Sequence, residues 1–217
     1  MAGVANAAPP AVPTWQGYYV GATIGVARDD ASCTQVAPSY GYYGSCTSYY
    51  GSASNVASAT GLTAGGEIGY DWQRGSFVFG AVADDQWTNL RNAQNTYVYS
   101  SFQIATTSLV SLRGRLGMDV ADTMIYLTGG AAFAHINDTT PYYAGGNYGS
   151  LDATKVGWVA GMGIEHKFAG TPWSVKAEIL YYDLGFKNGQ GVADGETYVS
   201  QFSNSIVQGK LGVDLHF

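Results

Sequence analysis

No run of apolar residues approaches the roughly 18 that a spanning helix requires, which excludes a helical membrane protein. Charge is scarce as well: Asp, Glu, Lys and Arg make up 12% of the 217 residues, and the ten Lys and Arg are scattered. With a net charge of −6 and no basic cluster, nucleic acid is excluded as a partner, because phosphate binding needs grouped cations. Cysteine is nearly absent, limited to Cys33 and Cys46. Two cysteines without a nearby histidine make a poor zinc set, so neither a metal nor a cofactor is expected. What abounds is small and aromatic, with 30 glycines and 17 tyrosines, a profile that fits neither a disordered chain nor an ordinary soluble domain. One other structure crosses a bilayer. A closed β-barrel satisfies its backbone between strands, and its sequence signal is alternation over segments of about ten residues.

Alternation recurs eight times. In "YYVGATIGV", Val20, Ala22, Ile24 and Val26 share one face, opposite Tyr19, Gly21, Thr23 and Gly25. "GLTAGGEIGYDW" and "FVFGAVADDQW" follow, joined by a short turn at 73–76. In "SLVSLRGRLGMDV", Val110, Leu112, Leu116 and Met118 oppose Ser111, Arg113, Arg115 and Gly117. "MIYLTGGAAFAH", "KVGWVAGMGIEHKF", "WSVKAEILYYDL" and "SIVQGKLGVDLHF" repeat the pattern, so the period of two predicts strands throughout. Tight turns alternate with long connections at about 28–59, 88–105, 137–154 and 185–204. This layout predicts an all-β, eight-stranded, antiparallel up-and-down transmembrane β-barrel over residues 15–217, with four extracellular loops and both termini on the periplasmic turn side. Residues 1–14, rich in Ala and Pro, are expected to form a flexible periplasmic tail, any export signal having been removed.

The face opposite the apolar one collects Glu67, Asp71, Asp84, Glu165, Glu178 and Asp214 with Arg113, Arg115, Lys176 and Lys210. Eight strands leave an interior just wide enough for side chains to fill, so these ten residues are expected to form a polar core of mixed sign. Trp72, Trp173, Phe77, Phe168 and Phe217 fall at turn-side strand ends and Trp87 and Trp158 near loop-side ends, as interfacial belts require. Trp15 falls out of phase with them.

The stretches "WQGYYVGATIG", "SLRGRLGMDVADTMIYLTGGAAFAH", "GWVAGMGIEHKF" and "WSVKAEILYYDLG", with the terminal Phe217, resemble the small outer-membrane β-barrel proteins of alphaproteobacteria, the porin or opacity-type family related to the barrel domain of outer membrane protein A. The resemblance covers residues 15–217 apart from the loops. It implies an outer-membrane location, contact with outer-membrane lipids, and recognition of Phe217 by the barrel assembly machinery. It implies structural and surface roles and, in a few relatives, haem binding or weak pore activity. Some relatives are tied to peptidoglycan through the N-terminal Ala, a role open to Ala2, although "AGVANA" lacks an acidic second residue. Val82 stands where relatives place an inward Glu.

An exported compartment favours a disulfide between Cys33 and Cys46, which have twelve residues between them in the first loop. Tyr40, Tyr42, Tyr43, Tyr49 and Tyr50 in that loop, with Tyr142 and Tyr143 in the third, suit a surface for protein contacts, self-association or a small ligand, since Tyr offers rigid amphipathic area. A barrel enzyme is disfavoured: Asp84, Asp85, His135 and Asp138 make a tempting general-base set, but alternation puts Asp84 and Asp85 on opposite faces. The expected function is therefore structural, through envelope stabilisation and loop contacts, with a narrow passive pore or a haem or small-ligand binder using His135 and loop tyrosines as the alternatives.

Overall fold

The computed structural model describes residues 14–37, 46, 54–97, 100–141, 146–193 and 195–217. Eight strands, β1 (Gly17–Ala37), β2 (Ser54–Arg74), β3 (Phe77–Tyr97), β4 (Ser100–Val120), β5 (Thr123–Pro141), β6 (Asn147–Lys167), β7 (Trp173–Ala193) and β8 (Glu196–His216), pair antiparallel with their neighbours. β8 closes on β1, so the ring has no free edge.

The pairing register fixes the shape. Following partners once around the ring, from Val20 through Ile68, Ala83, Leu112, Ala131, Trp158, Asp183 and Ser205, returns to β1 at Asp30, ten residues beyond the start. Eight strands with that stagger tilt by about 40 to 45°. Phe77 and Trp87 lie ten residues apart on β3, which at this tilt is ~24 Å of height, close to the ~25 Å apolar band of such barrels.

That band is visible on the outer wall. Leu62, Leu116, Ile125, Leu127, Met162, Ile179 and Leu211 all point outward and are exposed on the isolated chain. Trp72, Phe77, Phe168 and Trp173 edge it on the turn side, and Trp87, Trp158 and Tyr181 on the loop side. Asp85 is an exception, outward between Gly66 and Val110. It lies one outward position below Trp87, close to the interface, where a lipid-facing charge costs least.

Strand pairing runs further toward the loops than the sequence suggested. Residues 28–37, 54–59, 88–97, 100–105, 137–141, 147–154, 185–193 and 196–204, assigned above to loops, are strand. Polar side chains join the outer face there, as at Arg28 and Asp30, because the outer wall has left the lipid; backbone pairing needs no apolar exterior to continue. Residue 14, assigned above to the tail, is tied down: Lys167 Nζ donates to its carbonyl and Gln73 Oε1 accepts from the next backbone N–H at 2.7 Å. The rest of that tail, residues 1–13 including Ala2, lies outside the described residues.

Turn-side connections are tight. β2 and β3 join through Gly75, at φ +62°, and β4 and β5 through Ala121 and Asp122, at φ 52° and 65°, the left-handed pair a two-residue hairpin needs. Leu127→Arg, near mid-band, is expected to lower the unfolding free energy in lipid vesicles by ~2–4 kcal/mol, whereas Phe168→Arg at the turn-side edge costs ~0–1 kcal/mol, read from denaturant titrations of the folded barrel.

Candidate functional site: the filled lumen

Alternation sends the opposite face of every strand inward, and all ten charged residues singled out above are buried there. Closure of the ring brings them together from β2, β3, β4, β6, β7 and β8 in two tiers. In the tier nearer the loops, Arg113 bridges Asp84 at 2.5 Å and Glu178 at 3.1 Å. Lys210 adds contacts of 3.4, 3.3 and 3.0 Å to Glu67, Asp84 and Glu178. In the lower tier Arg115 holds Asp71 through Nε at 2.7 Å and Glu165 through Nη1 at 2.9 Å. Lys176 pairs with Glu67 and with Asp214, the latter at 3.1 Å, and so joins the tiers. His216 and Ser174 close on Glu165.

Uncharged neighbours complete the network. The Tyr19 and Tyr126 rings lie across the lumen with the Arg115 guanidinium 4.4 and 5.4 Å from their centroids, a cation over two π faces. Glycine makes the room: a side chain at Gly69 would collide with the Tyr19 ring, and one at Gly163 with Tyr126. Val82 points inward at 3% exposure, paired with Arg113 in the sheet, and supplies no carboxylate there. Toward the loops follows a neutral layer in which Tyr182 donates to Gln208, Gln208 to Thr63 and Gln86 to Thr23.

Both ends of the column are apolar. Trp15 plugs the turn end, fully buried with Val78, Met124 and Tyr126, and Lys167 Nζ lies 4.8 Å from its ring. It precedes β1, so strand phase never applied to it. The loop end is packed with Phe102, Phe202, Ile104, Ile136 and Leu151.

Within that upper packing sits a polar cluster the sequence reasoning missed, because its members fall in or beside segments assigned to loops. Thr106 donates to Asp29 at 2.7 Å, Asn204 Nδ2 lies within 3.4 Å of the same carboxylate, and Lys155 donates to Asn204 Oδ1 and the Phe202 carbonyl. Asp138 is fully buried beside them. The group lies level with outward Arg28 and Asp30, above the apolar band. Burial pushes the Asp29 carboxyl up to about 6 and the Asp138 carboxyl up to about 7, the Asp29 charge adding to the second; burial also lowers the Lys155 ammonium to about 8. The signal available in sequence was phase: Asp29 continues the inward positions of Tyr19 to Gly25.

Other candidates are dispersed. Asp84 is engaged in the core, Asp85 faces outward, His135 lies on the outer wall 3.3 Å from Asp152, and Asp138 is in the upper cluster, so no general-base set forms. Cys33 and Cys46 form a disulfide with Cα atoms 5.4 Å apart. Tyr40, Tyr42, Tyr43, Tyr49, Tyr50, Tyr142 and Tyr143 lie outside the described residues.

A closed eight-stranded ring with an apolar outer band, aromatic edges and an ion-paired interior defines an outer-membrane β-barrel. The chain belongs to the outer membrane protein beta-barrel domain family, whose model matches residues 1–207. It is 28% identical over 192 residues to the 31 kDa outer-membrane immunogenic protein of Brucella melitensis, covering 84% of this chain and 77% of that protein. It is 28% identical over 165 residues to the 25 kDa outer-membrane immunogenic protein of Brucella abortus, covering 71% of each. In fold it is similar to the outer membrane protein OprG of Pseudomonas aeruginosa, with a TM-score of 0.59 and 11% identity over 93% of this chain and 97% of that one.

Arg113→Ala removes one of the two cations that pair Asp84 and Glu178, leaving Lys210 alone between them, and is expected to cost ~3–5 kcal/mol in urea unfolding from detergent micelles, far more than the exposed Arg28→Ala. The upper cluster sets a pH dependence. Because burial raises the folded-state values of Asp29 and Asp138, the stability they contribute is full below about pH 4 and is lost as pH rises through about 6 to 7. Amide exchange at the loop-side ends of β1 and β5, corrected for its intrinsic pH dependence, should report opening more than tenfold rarer at pH 5 than at pH 8. Asp138→Asn should flatten that difference.

Proposed function

We propose that this protein is a structural and surface component of the outer membrane, stabilising the envelope through its lipid-facing wall and making contacts through its extracellular loops. The observation that carries the reading is the filled lumen. From Trp15, through the Arg113 and Arg115 network, to Phe102 and Phe202, each described layer is occupied by packed or paired side chains. A filled interior of this kind supports a role carried by the exterior.

Two Brucella relatives are named as immunogenic outer-membrane proteins. Contacts through the first loop of this chain accord with the tyrosine-rich composition around Tyr40 to Tyr50 and with the Cys33 to Cys46 bridge, which ties that segment to β1. Phe217 is exposed at the turn-side end and presents the terminal aromatic side chain that the assembly machinery would engage. Ala2 would provide a peptidoglycan tether, detected as a muropeptide on the N-terminal peptide. The haem reading loses support, since its candidate ligand His135 faces outward against Asp152.

Planar-bilayer recording tests the main reading. Purified, refolded protein is expected to give no stable nanosiemens steps, and regular steps of that size would overturn the closed lumen. Protease treatment of intact cells should cut within 38–53 and leave the paired strands whole.

A further inference from the structure

The outer wall is not uniformly smooth. Across β6, β7, β8 and β1 it carries a groove of about 640 Å³. Two outward rows of side chains border it. One runs along sheet partners Ile164, Ala177, Leu211 and Ile24, and the next begins at His166 and ends at Ala22. Ala177 and Ala22 are small where their neighbours are large, which opens the groove between the rows. Crossing three strand spacings of ~4.8 Å makes it about 14 Å long. Because partner rows climb around a tilted barrel, it rises from His166, near the turn-side edge, toward the middle of the apolar band.

Its lower end is polar. His166 lies one outward position inside Phe168 of the turn-side aromatic edge, and the two rings meet edge to face at 5.7 Å. Thr123 Oγ1 lies 2.9 Å from His166 Nδ1. With the hydroxyl donating to Nδ1, the imidazole keeps its proton on Nε2, which has no hydrogen-bond partner among the described residues. An apolar channel that begins, in that tautomer, at an imidazole N–H beside the headgroup level has the polarity of a phospholipid, acyl chain inward and phosphodiester at the edge.

We propose that this groove is a binding site for one glycerophospholipid of the turn-side leaflet, one acyl chain lying between the two rows and the phosphate accepting a hydrogen bond from His166. It is a defined site within the lipid contact that any such barrel makes, and it uses neither the lumen nor the loops.

Native mass spectrometry of the refolded protein in micelles, titrated with phosphatidylglycerol or with diacylglycerol bearing the same chains, tests it. The native chain is expected to retain one phosphatidylglycerol at low lipid fraction. Ala177→Leu, which fills the groove from the lipid side, should weaken retention of both lipids about tenfold. His166→Ala should weaken phosphatidylglycerol alone and erase its advantage over diacylglycerol. Folding is followed by the heat-dependent shift in gel mobility, and Ala22→Leu replaces Ala177→Leu if that variant does not fold. Equal retention by the groove-filled variant would overturn the site, and an unchanged phosphatidylglycerol preference in His166→Ala would overturn the role of that residue.

Discussion

Two guanidinium groups, two residues apart on one strand, hold the interior of this barrel together. A closed sheet satisfies every backbone group but leaves a lumen that must be filled. Arg113 and Arg115 fill it by reaching across to β3, β7, β2 and β6, each binding two carboxylates. The long side chains need space, which Gly69 and Gly163 create for the tyrosine rings that stack on Arg115. Buried charge is tolerable only when paired and hydrogen-bonded, so the six acids and four cations of the core depend on one another. That dependence ties strands together through the lumen that are distant around the ring.

A filled lumen has its side chains engaged with one another. Three surfaces remain: the apolar wall against lipid, the turn-side rim, and the loop-side extension beyond the membrane. The extension is a packed collar with its own buried polar cluster, Asp29, Asp138, Lys155 and Asn204, enclosed by apolar residues such as Phe202 and Ile136. It holds the loop bases at a distance from the bilayer and carries the disulfide between Cys33 and Cys46. The wall has relief as well, since alanines at 22 and 177 interrupt rows of larger side chains.

Much of this was legible in advance and some was not, for identifiable reasons. Eight strands in chain order followed from the two-residue period, and so did the opposite orientations of Leu112 and Arg113 or of Asp84 and Asp85. Strand ends on the loop side are not legible in the alternation, because polar residues such as Arg28 and Asp30 on the outer face mark only the edge of the lipid and not the end of pairing. The same change of character hid Asp29, whose phase was already inward, and with it the cluster to which Asp138 belongs. Trp15 resisted assignment because it belongs to no strand: it folds under the ring and meets Lys167.

By itself the sequence determined the class of structure and the face on which each strand residue lies, since successive side chains on an extended chain must point to opposite sides. It could not decide which inward residues meet. Those partnerships depend on the stagger accumulated around the ring, ten residues in eight strands, which sets the relative heights of Arg113 on β4 and Glu178 on β7. Only closure imposes that stagger, because a sheet must join its last strand to its first before any height across the lumen is defined.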